Sequence, residues 1–357
     1  VNLKTANNIT REKYNQLCGA KLQIGDIVYC LRGTLGKNAF IDNFEEGTIA
    51  SSLVAIRPKN IDGRYLYYIL NSDIEYRQRI VHDEGAAQPN LSAKSVSEFE
   101  IPILSIGEQK KISEYFTKFD HLISFHQRKY DSLVKVKKSM LEKMFPRSGD
   151  KKPEIRFVGF TDDWEQRKLS ELATIHARIG WQNLRTSEFL DNGDYMLITG
   201  TDFKDGAINY STCHYVEKER YDQDKHIQIN NGSILITKDG TLGKVAYVQG
   251  LTMPATLNAG IFNVQIRNEN EVDGKYLFQY LKAPYLMNYV SQKATGGTIK
   301  HLNQNILVDF PIVLPNKFEQ VKIGTFFEKL DNLISLHQCK LNLLKNMKKA
   351  MLEKMFV

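Results

Sequence analysis

One stretch of sequence occurs twice, and this repeat constrains the fold more than any other feature. Residues 108–145 align with residues 319–356 after a shift of 211 positions, and 22 of the 38 aligned residues are identical. The identities include polar residues, such as the string Leu-Ile-Ser-x-His-Gln in each copy. Chance similarity between two amphipathic helices would not reproduce these polar residues. We infer a duplication, and a repeat of this size determines the architecture of the whole chain.

Both copies predict a long helix with a narrow apolar stripe. Their apolar residues recur at a spacing of four and three, which is typical of a coiled-coil seam. A helix of this length is roughly 55 Å long, and two of them packed antiparallel would separate two globular domains by about that distance. The pairing brings His126 near His337, and for these two histidines we expect a role in register or packing rather than in pH sensing. The predicted helix-seam and partner-binding residues are Phe116, Phe119, Ile123, His126, Phe327, Leu330, Ile334 and His337.

The segments between the helices repeat as well and predict short strands, as at residues 27–29, 53–57 and 99–103. We predict an α/β (mixed α+β) fold: two domains with small, mainly β cores, separated by two long antiparallel coiled-coil helices. Residues 164–207 have no counterpart in the amino-terminal repeat. We therefore expect that the matching piece of the first domain is truncated, is missing from the structure, or has been moved by a circular permutation of the repeat. The predicted domains are 1–106 and 148–316, with helices at 107–147 and 317–357.

The positive charge is concentrated on the helices. The net charge is +7, and the two helical segments carry +5 and +4, whereas the two globular segments carry 0 and −2. Such helices attract a polyanion or present a solvated face. The sequence has no apolar run long enough to span a bilayer and no secretory signal, so we expect no membrane partner. Its four cysteines are scattered, which favours a reduced, cytoplasmic setting without zinc.

Two glycine-punctuated loops are identical: Gly-Thr-Leu-Gly-Lys occurs at residues 33–37 and again at 240–244. They lack the spacing of a Walker loop, which has four residues between glycine and Gly-Lys. The remaining interpretations are a hairpin whose N–H groups and lysine hold a phosphate, or a plain turn. Other loops, at 178–185 and 293–301, combine basic, amide, hydroxyl and tryptophan side chains suited to phosphates and base edges.

The sequence lacks the common catalytic motifs that we would expect in a methyltransferase or a nuclease. The sequence contains no Asn-Pro-Pro-Tyr or Asp-Pro-Pro-Tyr loop, no glycine-rich cofactor loop after a strand and no Pro-Asp dipeptide. Its eight histidines show no metal-ligand spacing. We therefore predict no catalytic residue, no metal site and no cofactor of its own.

The arrangement resembles the specificity subunit of a type I restriction–modification system. The resemblance rests on two globular repeats, each followed by a helix that opens with Glu-Gln-x-x-Ile and closes with Leu-Glu-Lys-Met-Phe. Supporting strings are Gly25-Asp26-Ile27, the two Gly-Thr-Leu-Gly-Lys loops, Trp164-Glu165-x-x-Lys168-Leu169 and Gly296-Gly297-Thr298-Ile299. It covers essentially the whole chain.

The resemblance implies a non-catalytic subunit that binds double-stranded DNA, with each globular domain reading half of a bipartite site. The helices would set the spacer and bind two adenine-N6 methyltransferase subunits, through which restriction/translocase subunits join. S-adenosylmethionine, ATP and Mg would belong to those partners. The residues predicted to contact DNA are Arg32, Thr34, Lys37, Gln88, Arg178, Trp181, Gln182, Arg185, Lys238, Thr241, Lys244, Thr295, Thr298 and Lys300.

Two alternatives remain open. The chain could be a duplicated coiled-coil scaffold that binds only proteins, or it could be the remnant of a nuclease or methyltransferase. Loss of DNA binding in a loop variant would distinguish the first, and methylation or cleavage by the isolated chain would establish the second.

Overall fold

The computed structural model describes residues 6–17, 21–43, 46–83, 90–147, 149–180, 183–293 and 301–356. It forms two compact units: unit 1 contains residues 1–130 and 336–357, and unit 2 contains residues 131–335. The fold is mixed α/β, as predicted. The division falls inside both long helices, so each unit holds one globular segment and part of each helix. The domain boundaries drawn along the chain therefore stay a prediction.

Unit 1 begins with a small sheet and short helices. Its elements are α1 (Arg11–Gln16), β1 (Ile27–Cys30), β2 (Asn38–Phe40), β3 (Leu53–Ile56), α2 (Gly63–Ile69), α3 (Asp73–Val81), α4 (Ala93–Ser97), the first part of α5 (Ile106–Lys143) and the second half of the chain's last helix, from residue 336. The sheet is antiparallel in the order β2-β1-β3. Alternate residues of β1, Ile27 and Tyr29, are fully buried and join Leu66 in the core. The side chain of Asp62 caps α2 by accepting the Tyr65 N–H at 2.8 Å.

Unit 2 holds the larger globular segment. Its elements are the rest of α5, then β4 (Glu165–Lys168), α6 (Leu169–Leu172), β5 (Ala173–Ala177), β6 (Met196–Ile198), β7 (Phe203–Lys204), β8 (Ala207–Ile208), β9 (His214–Tyr215), α7 (Lys218–Asp222), β10 (Gln228–Ile229), β11 (Ile234–Thr237), β12 (Val245–Tyr247), β13 (Ala255–Leu257), β14 (Ile261–Ile266), α8 (Gly274–Lys282), α9 (Pro284–Lys293), α10 (Gln304–Val308), β15 (Pro311–Leu314) and most of the first half of α11 (Lys317–Met355).

The sheets of unit 2 contain a copy of the unit 1 sheet. One sheet is antiparallel in the order β12-β11-β14-β5, and its first three strands correspond to β2-β1-β3. A second sheet, β10-β13-β6-β9, is mixed because β6 and β13 run parallel. Two-stranded sheets pair β15 with β4 and β7 with β8. Strand β11 is buried along its whole length, since both of its faces are covered.

The two long helices begin two residues earlier and end sooner than the repeat predicts. Ser105 and Glu108 start α5 with reciprocal bonds: the Ser105 N–H donates to the Glu108 carboxylate at 3.2 Å, and the Glu108 N–H donates to the Ser105 hydroxyl at 3.4 Å. The helix ends at Lys143, ahead of Pro146, which cannot continue a helix. The Asn316 side chain similarly accepts the Glu319 N–H at 3.0 Å at the start of α11.

The helix seam is antiparallel within each unit. In unit 1, Phe116 stacks on Phe356 with ring centroids 5.9 Å apart, whereas His126 meets His337, so rising numbers on α5 meet falling numbers on α11. In unit 2, Phe327 stacks on Phe145 at 5.8 Å. Phe116 and Phe327 are fully buried. The antiparallel pairing of the long helices is as predicted, and the two aromatic pairs are related by the 211-residue shift.

The histidine contact lies where the sequence predicts it. Nδ1 of His126 and Nδ1 of His337 are 2.8 Å apart, so one imidazole donates to the other. Partial burial, with a further contribution from His126, lowers the pKa of His337. This hydrogen bond joins the two helices at one level of the seam, which supports a role in register.

One predicted strand is wrong. Residues 99–103 are not a strand; their Pro102 lacks a donor for a ladder, and its carbonyl instead accepts the Tyr65 hydroxyl at 3.1 Å. The residues therefore cover α2 as an extended connection into α5.

Candidate nucleic-acid interface

The repeated Gly-Thr-Leu-Gly-Lys string forms a hairpin tip in each unit. In unit 2 it connects β11 to β12. The Thr237 hydroxyl donates to the carbonyl of Thr241 and accepts the Lys244 N–H at 2.9 Å. These hydrogen bonds within the loop hold its two ends together, and the side chains of Thr241 and Lys244 remain exposed.

The unit 1 hairpin, between β1 and β2, closes in a similar way with different chemistry. Cys30 stands where unit 2 has Thr237, and its thiol lies 3.0 Å from the Arg32 carbonyl oxygen. The Gly36 N–H donates to the Cys30 carbonyl at 3.1 Å. The side chains of Thr34 and Lys37 are exposed, as are their counterparts. Each hairpin therefore presents a lysine and a threonine on an internally bonded turn.

The second glycine of each string is required by the backbone. Gly36 and Gly243 have φ of 81° and 69°, in the left-handed region that favours glycine. A Cβ on Gly243 would clash with Sδ of Met287 on α9, and one on Gly36 would lie 2.7 Å from Nε of Arg79 on α3. Both hairpins are thus held close against a helix of their own unit.

A second segment bonds to each hairpin. The Leu91 N–H donates to the Leu31 carbonyl at 3.1 Å, and the Leu302 N–H donates to the Lys238 carbonyl at 2.9 Å. Leu91 and Leu302 correspond under the 211-residue shift. The same backbone frame is therefore present in both units.

The side chains beside this frame differ, and we call them the junction pairs. In unit 1, Nε of Arg32 donates to Oδ1 of Asn90 at 3.0 Å. In unit 2, the corresponding pair is Asp239 and His301, with Oδ1 and Nδ1 2.5 Å apart. Arg32 is among the predicted DNA contacts, whereas Asn90, Asp239 and His301 are not. The shift that aligns Leu91 with Leu302 also aligns Asn90 with His301 and would have revealed the exchange.

The structure does not support a DNA contact by Arg178. Its side chain is buried, and its guanidinium donates to the Leu257 carbonyl at 2.9 Å and to the Thr256 hydroxyl at 3.3 Å. We correct that prediction, because a guanidinium that bonds strand β13 inside the core is not presented to a duplex. Nearby, Arg185 is exposed, and its backbone N–H donates to Glu188 at 2.7 Å.

Lys238 is only half-buried, but its ammonium lies 5.7 Å from the centroid of the Phe262 ring. That contact holds it beside the hairpin base rather than at the tip. Other predicted contacts lie outside the described residues: Gln88, Trp181, Gln182, Thr295, Thr298 and Lys300.

Comparison with known proteins decides the family. The model of the "Type I restriction modification DNA specificity domain" matches residues 1–135 and 161–346. This chain belongs to that family. The specificity subunit of the type I restriction enzyme MjaVIII from Methanocaldococcus jannaschii is 25% identical over 304 residues, which cover 82% of this chain and 69% of the relative. The putative MjaX specificity subunit of the same organism is 24% identical, over 91% of this chain and 76% of the relative.

Solved structures support the fold of this specificity-family chain. The S subunit of a type I system from M. genitalium superposes with a TM-score of 0.60 at 18% identity, covering 93% of this chain and 83% of that one. A chain from a structure of type I system assembly and conformational transition gives 0.54 at 17% identity, covering 94% and 82%. At these identities the likeness concerns the fold alone.

The specificity-family chain also carries, on each long helix, two exposed apolar residues flanked by lysines, and we call these residues the outer stripe. Phe119 and Leu330 are buried like Phe116 and Phe327, and Ile123 and Ile334 are half-buried, so the seam packs inside the chain instead of facing a partner. The outer stripe consists of exposed residues at a spacing of four, three and four: Lys118, Leu122, Phe125 and Lys129 on α5, and Lys329, Leu333, Leu336 and Lys340 on α11.

The described residues contain no group of three or more His, Cys, Asp or Glu side chains placed to hold a metal ion. Among the described helices, none combines the length and the apolar character needed to cross a membrane. In each unit, the candidate site consists of the hairpin tip and the junction pair described above.

Proposed function

We propose that this chain reads a bipartite DNA target, one half-site per unit, and recruits two copies of an adenine-N6 methyltransferase subunit. The observation that carries the proposal is the duplicated hairpin frame with exchanged junction pairs. A shared frame with different side chains is the arrangement needed to read two different half-sites. Membership of the DNA specificity domain family supports the same role.

The hairpin lysines are the proposed phosphate contacts. Lys37 and Lys244 occupy equivalent exposed positions, next to Thr34 and Thr241, whose hydroxyls and backbone N–H groups can also donate. Phosphate contacts carry no sequence information but fix the position of a protein on the duplex. Their identity in both units fits a role that is the same at both half-sites.

The junction pairs are the proposed base-reading groups. An arginine donates well to guanine O6 and N7, an asparagine matches adenine, and a carboxylate accepts from cytosine N4. Unit 1 presents Arg32 with Asn90, whereas unit 2 presents Asp239 with His301. The first pair favours a purine at the contacted position, and the second favours a cytosine, so the two half-sites are expected to differ.

The outer stripe is the proposed docking surface for the methyltransferase subunits. Phe125 and Leu336, exposed by 45% and 47%, correspond under the repeat, and each is flanked by the same lysine spacing. Exposed apolar residues at helical spacing mark protein-binding faces. Two equivalent stripes suit two copies of one partner. Restriction/translocase subunits would join through these, and S-adenosylmethionine, ATP and Mg would act in the partners.

Stoichiometry tests the docking surface. The chain is assembled with the methyltransferase subunit of its own system and weighed by native mass spectrometry. Phe125→Asp or Leu336→Asp should each reduce the bound copies from two to one, and the double variant should bind none. Val158→Asp is the matched control, since Val158 is 98% exposed but lies outside the helices. Two bound copies in the double variant would contradict the assignment.

Selection from a random duplex library by the assembled complex tests DNA reading. We expect enrichment of two short motifs separated by a fixed gap of unspecified bases. A protein-binding scaffold is the second candidate, because the outer stripe alone would serve it, and absence of any enriched motif would favour that candidate. Methylation by the chain without its partners would instead establish an enzyme.

We propose that the length of the two long helices sets the number of unspecified base pairs between the half-sites. Insertion of one heptad into both long helices adds about 10 Å to each, equal to roughly three base pairs. The preferred gap should lengthen accordingly. A gap that stays fixed would remove the spacer role from the helices.

A further inference from the structure

Asp120 joins three elements of unit 1. Its Oδ2 accepts the hydroxyl of Tyr68 on α2 at 2.8 Å, and its Oδ1 accepts Nζ of Lys348 on α11 at 2.5 Å. Tyr68 is fully buried and packs on Phe116, with ring centroids 5.0 Å apart. One carboxylate on α5 therefore holds both the short helix of its own globular segment and the opposite long helix.

Asp331 makes the equivalent junction in unit 2. Its Oδ2 accepts Nε2 of Gln279 on α8 at 2.9 Å, and its Oδ1 accepts Nζ of Lys137 on α5 at 2.5 Å. Lys137 is 7% exposed. Each member corresponds to a member of the first junction under the 211-residue shift. We call the two arrangements the aspartate clamps.

The clamps define one register of the helices. A slip of one helical turn moves a residue by about 5.4 Å, which breaks a 2.5 Å contact. Apolar seam residues such as leucine tolerate alternative pairings, whereas a polar pair within the seam specifies one. Of the two clamp lysines, Lys137 is buried and Lys348 is half-buried. Ion pairs that are partly or fully buried contribute little net stability, so lysines in a seam favour specification over stabilisation.

The clamps also fix each globular segment on the helices. Tyr68 and Gln279 lie on α2 and α8, and these helices pack within the same units as the hairpins. Each globular segment, which is the proposed reader of one half-site, is thus rigidly connected to the helices of its unit. This reader has little freedom to adapt to a gap of the wrong length. One base pair changes the separation of two half-sites by about 3.4 Å and their rotation by about 35°.

We propose that Asp120 and Asp331 are positioning residues that set the tolerance for gap length. This inference rests on the proposed bipartite reading. Each clamp holds the reader of its unit at one position and one rotation on the helices of that unit. The complex therefore accepts one gap length and rejects gaps that are one base pair longer or shorter. Without the clamps, each reader rocks on its helix and accepts longer and shorter gaps.

Methylation rates on a gap series test the inference. The full chain is assembled with its methyltransferase subunits, and the wild type first selects its target from a random duplex library. Duplexes then carry that target with the selected gap or with one base pair more or fewer. Because a misplacement of about 1 Å can cost a hundredfold in rate, the wild type should prefer its own gap by at least about tenfold. In the D120N/D331N double variant this preference should fall to about threefold or less, with the half-site motifs unchanged.

Two lysine variants separate positioning from structure. K137M/K348M removes the lysine–aspartate ion pairs between the helices. This variant should also show a smaller preference for the selected gap length. K137R/K348R keeps the ion pairs and should retain it. The matched control is K138M/K349M, which removes the same charge from adjacent exposed residues and should leave the preference unchanged.

Several results would overturn the inference. A folded D120N/D331N variant that keeps the wild-type preference contradicts it, as does an equal loss of rate at all gaps, which indicates a structural role only. If that variant does not fold, the lysine variants decide, and an unchanged preference in K137M/K348M contradicts it. Failure of the wild type to enrich any duplex would contradict the proposed function itself.

Discussion

Units 1 and 2 share a frame but differ in the side chains placed on it. The hairpin, the stacked phenylalanines and the aspartate clamp recur in both, whereas Arg32 and Asn90 in unit 1 give way to Asp239 and His301 in unit 2. Within the clamps, Tyr68 is exchanged for Gln279. The duplicated parts hold the chain in place. Of the exchanged parts, the junction pairs lie where we propose that bases are read, and the Tyr68/Gln279 exchange lies inside the clamps.

A second difference concerns charge inside the clamps. Unit 2 has an additional cation, Lys282, whose Nζ lies 3.9 Å from the Asp331 carboxylate, whereas Asn71 occupies the corresponding position in unit 1. One carboxylate then faces two ammonium groups. Burial, with Lys282 as the next cause, lowers the pKa of Lys137 to about 8.

The largest effect is expected from the stacked phenylalanines. Phe116→Ala in unit 1 and Phe327→Ala in unit 2 should each lower the free energy of unfolding of their unit by about 3–5 kcal/mol, because each removes a fully buried ring. Urea denaturation of the full chain measures this. Phe125→Ala, an exposed position, is the control. A loss below about 1 kcal/mol at either site would show that the two seams are not equivalent.

The pH dependence of stability should distinguish the clamps. The folded-state pKa of Lys137 is lowered from 10.5 to about 8, so between these values the unfolded chain binds more protons than the folded one. Unfolding free energy should therefore rise with pH across this window, by about 1–3 kcal/mol in total.

Comparison of the wild type with Lys137→Met isolates this contribution, since tyrosine ionisation affects both proteins alike. The difference between their unfolding free energies should change steadily from pH 8 to pH 10. Parallel curves would mean that Lys137 titrates normally in the folded chain.

The smallest effect is expected from the hairpin lysines. Lys37→Ala and Lys244→Ala should each weaken DNA binding by about tenfold, equally for all sequences, and reduce the salt slope by about 1. Titration at several salt concentrations checks both values. A loss confined to one sequence would assign base reading to that lysine instead.

The sequence predicted the parts of this comparison that depend on local pattern. The 4,3 spacing gave the seam, and the repeat placed His126 opposite His337, because identical stretches that pack antiparallel must meet at their midpoints. Glycine punctuation similarly gave both hairpins. The family resemblance was confirmed by the match over both repeats.

Contacts between distant residues were harder to predict. Arg178 was placed among DNA contacts because composition cannot distinguish an exposed arginine from one that bonds a buried strand. The aspartate clamps join three elements far apart in sequence, so Lys137 and Lys348 read only as polar residues in an apolar stripe. The junction pairs required knowledge of which segment lies beside each hairpin.

Each unit is proposed to read its own half of the target. The most direct measurement is selection from a random duplex library with the assembled complex, in three parallel arms: wild type, Arg32→Ala and Asp239→Asn. The wild type should yield two motifs and a fixed gap. Arg32→Ala should relax one position of one motif, and Asp239→Asn one position of the other, each by about 1–3 kcal/mol of discrimination. A single continuous motif, or a change in the same motif in both variants, would show that the two units do not read separate half-sites.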